Sequence, residues 1–220
     1  MKDRLFAVLT GDVAGSSRFS GEDRKKLLDG IKTSFIRIEE ILGTDVIAFP
    51  FEIFRGDSFQ GVLGKPELAL KAALIIRAGI RGSFKTTLKD AVDARIAIGI
   101  GTISLMPQNS AGEGDGEAYR NSGPYLDKLE KAGRMLSIKT PWDDINKELN
   151  VECALLDTIV NRWTAGQTDV VSEYLRGLTQ EEMAERLNVS QPAARKRIQA
   201  ANLFQIEIML RRYEEFFEKL

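Results

Sequence analysis

The chain has no histidine and one cysteine, Cys153. The first absence removes Ser–His and Cys–His nucleophilic catalysis and the common zinc sites built on imidazole. The second removes any internal disulfide and suits a reducing compartment, so a cytoplasmic location is expected. Cys153 falls within an apolar helical pattern and reads as a core residue rather than a nucleophile. No apolar run is long enough to cross a bilayer, so no membrane partner is expected. Lys2, Asp3 and Arg4 lead straight into a short strand, with no signal peptide in the reading. A strong charge of either sign is also missing: 31 basic residues face 32 acidic ones, for a net charge of −1. The whole chain is therefore no general polyanion binder. What is present is ordinary globular composition, 43% apolar and 29% charged, with a length that permits one large or two modest domains.

The most patterned stretch is Leu178 to Ala201, LTQEEMAERLNVSQPAARKRIQAA. Thr179 suits a helix N-cap, and Glu182 three residues on completes a capping box. Met183, Ala184 and Leu187 fall on one helical face. Asn188 tolerates a left-handed turn, and Val189 plugs it. Ser190 caps a second helix with Pro192 in its first turn, where a missing N–H costs little. Ala194 and Ile198 face inward, which leaves Gln191, Arg195, Lys196 and Gln199 outward. This is the layout of a helix-turn-helix spanning 179–200. Gln pairs with adenine, Arg with guanine, and Ser190 and the cations with phosphate. DNA is accordingly the expected partner, although the chain after Val151 is slightly more acidic than basic. An ordinary helical hairpin with a solvated charged face is the competing reading.

The first half alternates strand-like and helix-like segments. Leu5 to Thr10 reads as a strand. Ser20 and Asp23 open a long helix with Leu27, Leu28, Ile31, Phe35, Ile38 and Leu42 on one face. Val46 to Phe54 and Ser58 to Leu63 form a hairpin with Asp57 at its tip. Pro66 opens a second helix, Ala94 to Ile103 is a strand, Pro107 to Gly116 is a flexible loop, and Glu117 to Leu136 is helical. The order β-α-β-β-α-β predicts an α+β, ferredoxin-like antiparallel sheet with its helices on one face. Thr140-Pro141 breaks the pattern, and everything later is helical. Two domains are expected, an α+β domain over 1–138 and a small all-α domain over 139–220.

Asp12 ends the first strand, and Asp57 sits on the neighbouring hairpin, so both carboxylates emerge at one sheet edge. Two hard oxygen donors there suit Mg²⁺ or Mn²⁺ with phosphate oxygens completing the shell. Gly56 lets the backbone approach a phosphate, and Gly15, Ser16 and Ser17 offer donors just before a helix start. Spacing alone leaves a second reading equally open, in which both aspartates are simple turn residues.

TGDVAGSS and FRGDSFQGVL resemble the two metal-aspartate segments of class III nucleotidyl cyclase domains, and ARIAIGIGTI resembles the strand that follows in that fold. The resemblance covers about Leu5 to Leu136. It implies a cyclase-like fold, with Asp12 and Asp57 as the metal ligands. The family's transition-state Asn and Arg, four residues apart, have no clean counterpart. In GEAYRNSGPYLDKLEK, Arg120 and Asn121 are adjacent and Pro124 stands where an Arg belongs. The combination of TGDVAGS, RGDSFQ, IAIGIG, GEAYRNSG and a helix-turn-helix tail is similar over nearly the whole chain to the SatD-like family of bacterial proteins. That resemblance implies a cytoplasmic, regulatory protein. LTQEEMAERLNVS also resembles the DNA-reading region of sigma factors and response regulators.

The expectation from these readings is a DNA-binding transcriptional regulator whose cyclase-like domain binds a ligand, a nucleotide with divalent metal. The alternatives are a metal-dependent nucleotidyl cyclase or nucleotidyltransferase, or a scaffold whose helix-turn-helix contacts protein. Leu155, Ile159, Val160 and Trp163 form an apolar stripe continued by Val171, Tyr174, Leu175 and Leu178. The last helix, with Leu203, Phe204, Ile206, Ile208, Met209, Phe216, Phe217 and Leu220, is apolar over more than one face. It is expected either to pack on the cyclase-like domain or to pair with a second copy, and linkage of two reading helices favours the second, a homodimer.

Overall fold

The computed structural model describes residues 4–84 and 92–218; Leu220 lies outside them. The elements in chain order are β1 Phe6–Val13, α1 Gly21–Leu42, β2 Ile47–Arg55, β3 Ser58–Leu63, α2 Ala69–Ser83, β4 Ala94–Gly101, β5 Ile103–Leu105, β6 Asp115–Gly116, α3 Glu117–Ala132, β7 Leu136–Lys139, α4 Asp143–Val160, α5 Ala165–Leu175, α6 Gln180–Arg186, α7 Gln191–Ala200 and α8 Leu203–Glu218. Five strands form one sheet in the order β2-β3-β1-β4-β7. β1 is central and antiparallel to both β3 and β4.

Three sequence expectations are corrected here. The sheet is mixed, because β7 pairs parallel to β4. The helical reading of 117–136 ran through a stop: α3 ends at Ala132, and Gly133 closes it in the left-handed conformation at φ 63. Leu136 and Ile138 then point into the core as a short strand. A parallel partner requires a crossover, and α3 supplies it. That crossover puts α3 on the face of the sheet opposite α1 and α2, so the helices cover both faces rather than one.

The pleat sorts β1 accordingly. Ala7, Leu9 and Val13 join the core under α1 and α2, and Val8 packs with Val62 and Ala118 on the α3 side. Leu27, Ile31, Phe35 and Ile38 bury the predicted face of α1. Ser20 occupies the N-cap of α1, but its side chain makes no capping hydrogen bond. Pro66 opens a short 3-10 turn, and α2 proper starts at Ala69.

Helix α2 is buried nearly all round, as its composition ALKAALIIRAGIRGS requires. One side meets the sheet and α1. The other meets the helices after β7, so a single apolar cluster runs from Leu9 and Ile98 through Ile76 to Cys153, Leu156, Trp163 and Val171. Cys153 is fully buried, and burial pushes its thiol up to about 12, which leaves it inert at neutral pH.

Within this apolar layer lies Arg77, with no solvent exposure. Its Nε and Nη2 donate to the two oxygens of Asp93 at 3.1 and 2.8 Å, and its Nη1 donates to Asp157 of α4 at 2.7 Å. Asp157 also accepts the Met135 and Leu136 N–H groups at 3.0 and 3.2 Å. Arg81 donates to Asp93 and to the Trp163 carbonyl. Trp163 in turn donates to the Ala201 carbonyl, and Tyr213 of α8 donates to the Pro66 carbonyl. The two flanking carboxylates hold Arg77 charged against the strong opposing effect of burial.

Removing one partner of such a buried set strands the rest. Arg77→Ala is expected to cost roughly 3–5 kcal/mol in denaturant unfolding, because Asp93 and Asp157 lose their cation together. A cost under about 1 kcal/mol would show that the network contributes nothing beyond its packing volume.

Candidate functional site

At the end of β1, Asp12 lies directly opposite Arg95 of β4. The guanidinium grips the carboxylate with two parallel bonds, Nε to Oδ1 at 2.8 Å and Nη2 to Oδ2 at 2.9 Å. Arg95 Nη1 also reaches Glu130 of α3 at 2.8 Å. The hydrogen bonds it donates to Asp12 hold the guanidinium above its ordinary pKa. Sequence reading missed Arg95, although the strand alternation of ARIAIGIG puts it on the same sheet face as Asp12.

Asp57 is the second residue of the two-residue loop joining β2 and β3. Gly56 precedes it at φ 62, at the loop position where the strand twist favours glycine. The Asp57 carboxylate turns back to the sheet, accepting the Val13 N–H at 2.9 Å, with Arg24 of α1 at 3.5 Å from its other oxygen. Asp57 is therefore tied to the residue next to Asp12. Both side chains are mostly buried, 23% exposed for Asp12 and 16% for Asp57. The Gly15–Ser17 turn follows immediately, with Gly15 left-handed at φ 70 and a short 3-10 turn from Ser16 to Arg18 before α1.

This corner gathers Asp12, Asp57, Gly56 and the Gly15–Ser17 turn around the end of one strand. Two carboxylates are the acidic donors here. Among the described residues no group of three or more metal-binding side chains converges. A divalent ion at this corner would need water or phosphate oxygens for the rest of its shell, and Arg95 would have to release at least one Asp12 oxygen.

The sheet face beside the corner is polar and was not anticipated. Thr10 accepts hydrogen bonds from Gln60 and from Ser122 of α3, each at 2.7 Å, and Ser122 is also within 2.9 Å of the Ala97 carbonyl. Asn121 donates to the Ile100 carbonyl, and Arg120 pairs with Asp115. The two α3 residues weighed against the cyclase pattern thus bind their own neighbours. The segment 107–116 is anchored rather than a free loop, because Glu52 accepts the Ser110 hydroxyl at 2.5 Å and the Ala111 N–H at 2.7 Å.

At the other end of the chain, the caps and the turn expected within 179–200 are present. Thr179 and Glu182 exchange the capping-box bonds, and these hold the Glu182 carboxyl below its ordinary range. Asn188 is left-handed at φ 50, and the Val189 N–H closes on the Ala184 carbonyl. The Ser190 hydroxyl accepts the Ala193 N–H. Met183, Ala184 and Ala194 are buried, whereas Ser190, Gln191, Arg195, Lys196 and Gln199 are exposed. Neither Arg195 nor Lys196 forms an ion pair with another described residue.

The molecule is a mixed α+β protein whose sheet domain is continuous with a helical unit. The SatD family profile matches residues 6–217, and the chain belongs to the SatD family. Similar solved structures include the active GGEEF domain of a diguanylate cyclase from Vibrio cholerae, with 14% identity, 64% of this chain and 85% of that chain covered, and TM-score 0.44. A bacterial light-regulated adenylyl cyclase gives 11% identity, 63% and 77% coverage, and 0.42. The monomeric guanylyl cyclase domain of the RhoGC fusion protein from the aquatic fungus Blastocladiella emersonii gives 17% identity, 70% and 86% coverage, and 0.42. Comparison with curated proteins gives no significant match.

The wall beside the corner depends on how closely α3 lies on β4. A Cβ added at Gly99 would sit 2.1 Å from the Ala118 carbonyl and 2.5 Å from the Ser122 nitrogen. Gly99→Ala is therefore expected to destabilise the protein by about 1–3 kcal/mol in denaturant unfolding, because backbone cannot yield as a side-chain tip can. An unchanged midpoint would mean that α3 slides freely on the sheet.

Proposed function

We propose that this SatD-family chain is a cytoplasmic DNA-binding regulator in which α6 and α7 act as a helix-turn-helix, with α7 entering the major groove. The observation that carries the reading is the outward face of α7. Gln191, Arg195, Lys196 and Gln199 are all in solvent on a capped helix whose inward side is anchored by Ala194. Gln and Arg supply base-edge contacts, while Lys196, Ser190 and the helix N-terminus meet phosphate. The sheet domain takes the ferredoxin-like, cyclase-type arrangement, a label supported by the strand order β2-β3-β1-β4. In this reading it binds a nucleotide with Mg²⁺ or Mn²⁺. Asp12 and Asp57 hold the metal, Gly15, Ser16, Ser17 and Gly56 meet the phosphates, and the DNA-reading unit carries the output.

The double variant Arg195→Ala, Lys196→Ala should weaken duplex binding and reduce its log–log salt slope by about 1–2, one counterion for each lost phosphate contact. Unchanged affinity and slope would reject docking through α7.

A second reading, a metal-dependent nucleotidyl cyclase or nucleotidyltransferase, is supported by one observation: Asp57 accepts the N–H of Val13, the residue next to Asp12. Both readings require metal and nucleotide there. In a melting assay Mn²⁺ with a nucleoside triphosphate should stabilise the wild type by about 2.7 kcal/mol at hundredfold excess over Kd, and Asp57→Asn should abolish the effect. An Asn oxygen can still accept the Val13 N–H, so the fold should survive the change. A wild type unmoved by any of the four triphosphates removes the metal site, and product formation separates turnover from binding.

A further inference from the structure

Helices α1, α2 and α5 border a polar cleft of about 350 Å³, and Leu187, the residue after α6, closes part of it. Its α1 wall carries Lys26, Asp29, Thr33 and Arg37, spaced three and four apart and so on one helical face. Its α2 wall is Gly79, Gly82 and Ser83, small residues that leave the space open. Close approaches fix its two ends. A Cβ on Gly79 would lie 3.7 Å from Arg37 Nη1, and one on Gly82 would lie 3.6 Å from Thr168, the residue before Asp169 of α5. Gly30, next to Asp29, faces Ser83. Arg37 and Glu173 therefore line one end, and Lys26, Asp29 and Asp169 line the other.

The ends carry opposite charge. At the first, three guanidiniums, of Arg37, Arg176 and Arg186, gather around two carboxylates, of Glu173 and Glu40. Arg176 pairs with Glu40 at 3.4 Å and Arg186 with Glu173 at 3.0 Å, which accounts for both carboxylates. Arg37 is left half-buried, with no hydrogen bond and no ion pair to any described residue. Burial and the adjacent Arg176 hold its pKa below the ordinary range, as befits a third guanidinium beside two anions. At the second end Asp29 and Asp169 likewise form no ion pair, and Lys26 lies over the Phe84 ring. One negative charge is in excess there. A guanidinium fork matches a carboxylate or phosphate group, whereas Asp29 and Asp169 repel a second anion and accept from an ammonium.

We propose that this cleft binds a small zwitterion, its carboxylate or phosphate head on Arg37 and its ammonium between Asp29 and Asp169. Asp29 and Arg37 are eight residues apart, a rise of about 12 Å along α1. Even with the reach of the arginine side chain, that span calls for a ligand whose charges stand several bonds apart. Leu187 immediately precedes Asn188, which makes the turn between α6 and α7. The occupant would therefore touch the helices on the sheet and the first helix of the 179–200 unit together. The site uses no residue of the Asp12–Asp57 corner or of the outward face of α7, so it stands apart from both readings of those surfaces.

Calorimetric titration of the full chain with γ-aminobutyrate, 6-aminohexanoate and phosphoethanolamine tests this, with acetate, inorganic phosphate and putrescine as probes that carry one kind of charge. At least one zwitterion should bind, about tenfold more tightly than the anion that shares its head. Arg37→Gln should abolish binding of zwitterions and anions alike. Its circular dichroism should be unchanged, because Arg37 makes no hydrogen bond within the chain. Asp29→Asn with Asp169→Asn should weaken the zwitterion about tenfold and spare the anions. Thr33→Met, at an exposed position of the wall, should obstruct the cleft with every charge kept. No binding of any zwitterion beyond a sodium chloride control, binding untouched by Arg37→Gln, or anions that bind as tightly as zwitterions would each overturn the proposal.

Discussion

The buried cation at Arg77 is the constraint on which the rest of the arrangement depends. A guanidinium without solvent exposure is tolerable only between carboxylates that are themselves fixed, and Asp93 and Asp157 come from different elements, 64 residues apart in the chain. Asp93 immediately precedes β4, and its own carbonyl accepts the Ala14 N–H at 3.0 Å, two residues after Asp12. Asp157 belongs to α4 and receives the N–H groups that start β7. One side chain therefore ties the strand end carrying the acidic corner to the helices that carry α7 and α8. The parallel strand β7 and the helical unit are held in place by the same carboxylate.

The helical unit presents only a narrow basic surface. Counted as a whole, the chain after Val151 is slightly acidic. Much of its basic charge is committed to holding helices together: Arg176 to Glu40 of α1, Arg186 to Glu173, Arg211 to Glu207, and Arg212 to Glu148. Arg197, on the inner side of α7, lies against Gly166 of α5. Among the described residues Arg195, Lys196 and Arg197 of that helix form no ion pair, and of these Arg195 and Lys196 stand side by side on its exposed outward face. Net charge is thus a poor guide to this surface, because what a polyanion meets is the charge left after internal pairing.

The parts of the structure legible in the sequence are those built from local interactions. Capping box, left-handed Asn188 and the Ser190 cap all close within three to five residues, so 179–200 could be read directly. The same holds for the α1 stripe and the Gly56–Asp57 hairpin tip. What escaped is non-local or short. Arg95 meets Asp12 across 83 residues, and Arg77 meets Asp157 across 80. No periodicity encodes such pairs. β7 has four residues, too few for alternation to outweigh the helical stretch before it, and its parallel pairing determines the face on which α3 lies. The Ser20–Asp23 pattern has the composition of a capping box without its bonds, since a motif permits a contact and the surrounding packing decides whether it forms.

Arg95 governs what the acidic corner can hold. The bidentate Arg95 guanidinium sets a full positive charge against both Asp12 oxygens within the chain itself. A divalent cation concentrates twice the charge in a far smaller volume, so it competes for the same oxygens on favourable electrostatic terms. The cost of the exchange lies in what becomes of Arg95. Glu130, on the exposed side of α3, already holds its Nη1 at 2.8 Å, so a guanidinium that yields Asp12 keeps an anionic partner near water. Asp57 is held less tightly, because a backbone N–H anchors one oxygen and Arg24 stands 3.5 Å from the other. The corner is thus asymmetric. Asp12 is gripped by a bidentate guanidinium, whereas Asp57 faces one at 3.5 Å, so in the proposed metal site the two carboxylates would differ in what an incoming cation must displace.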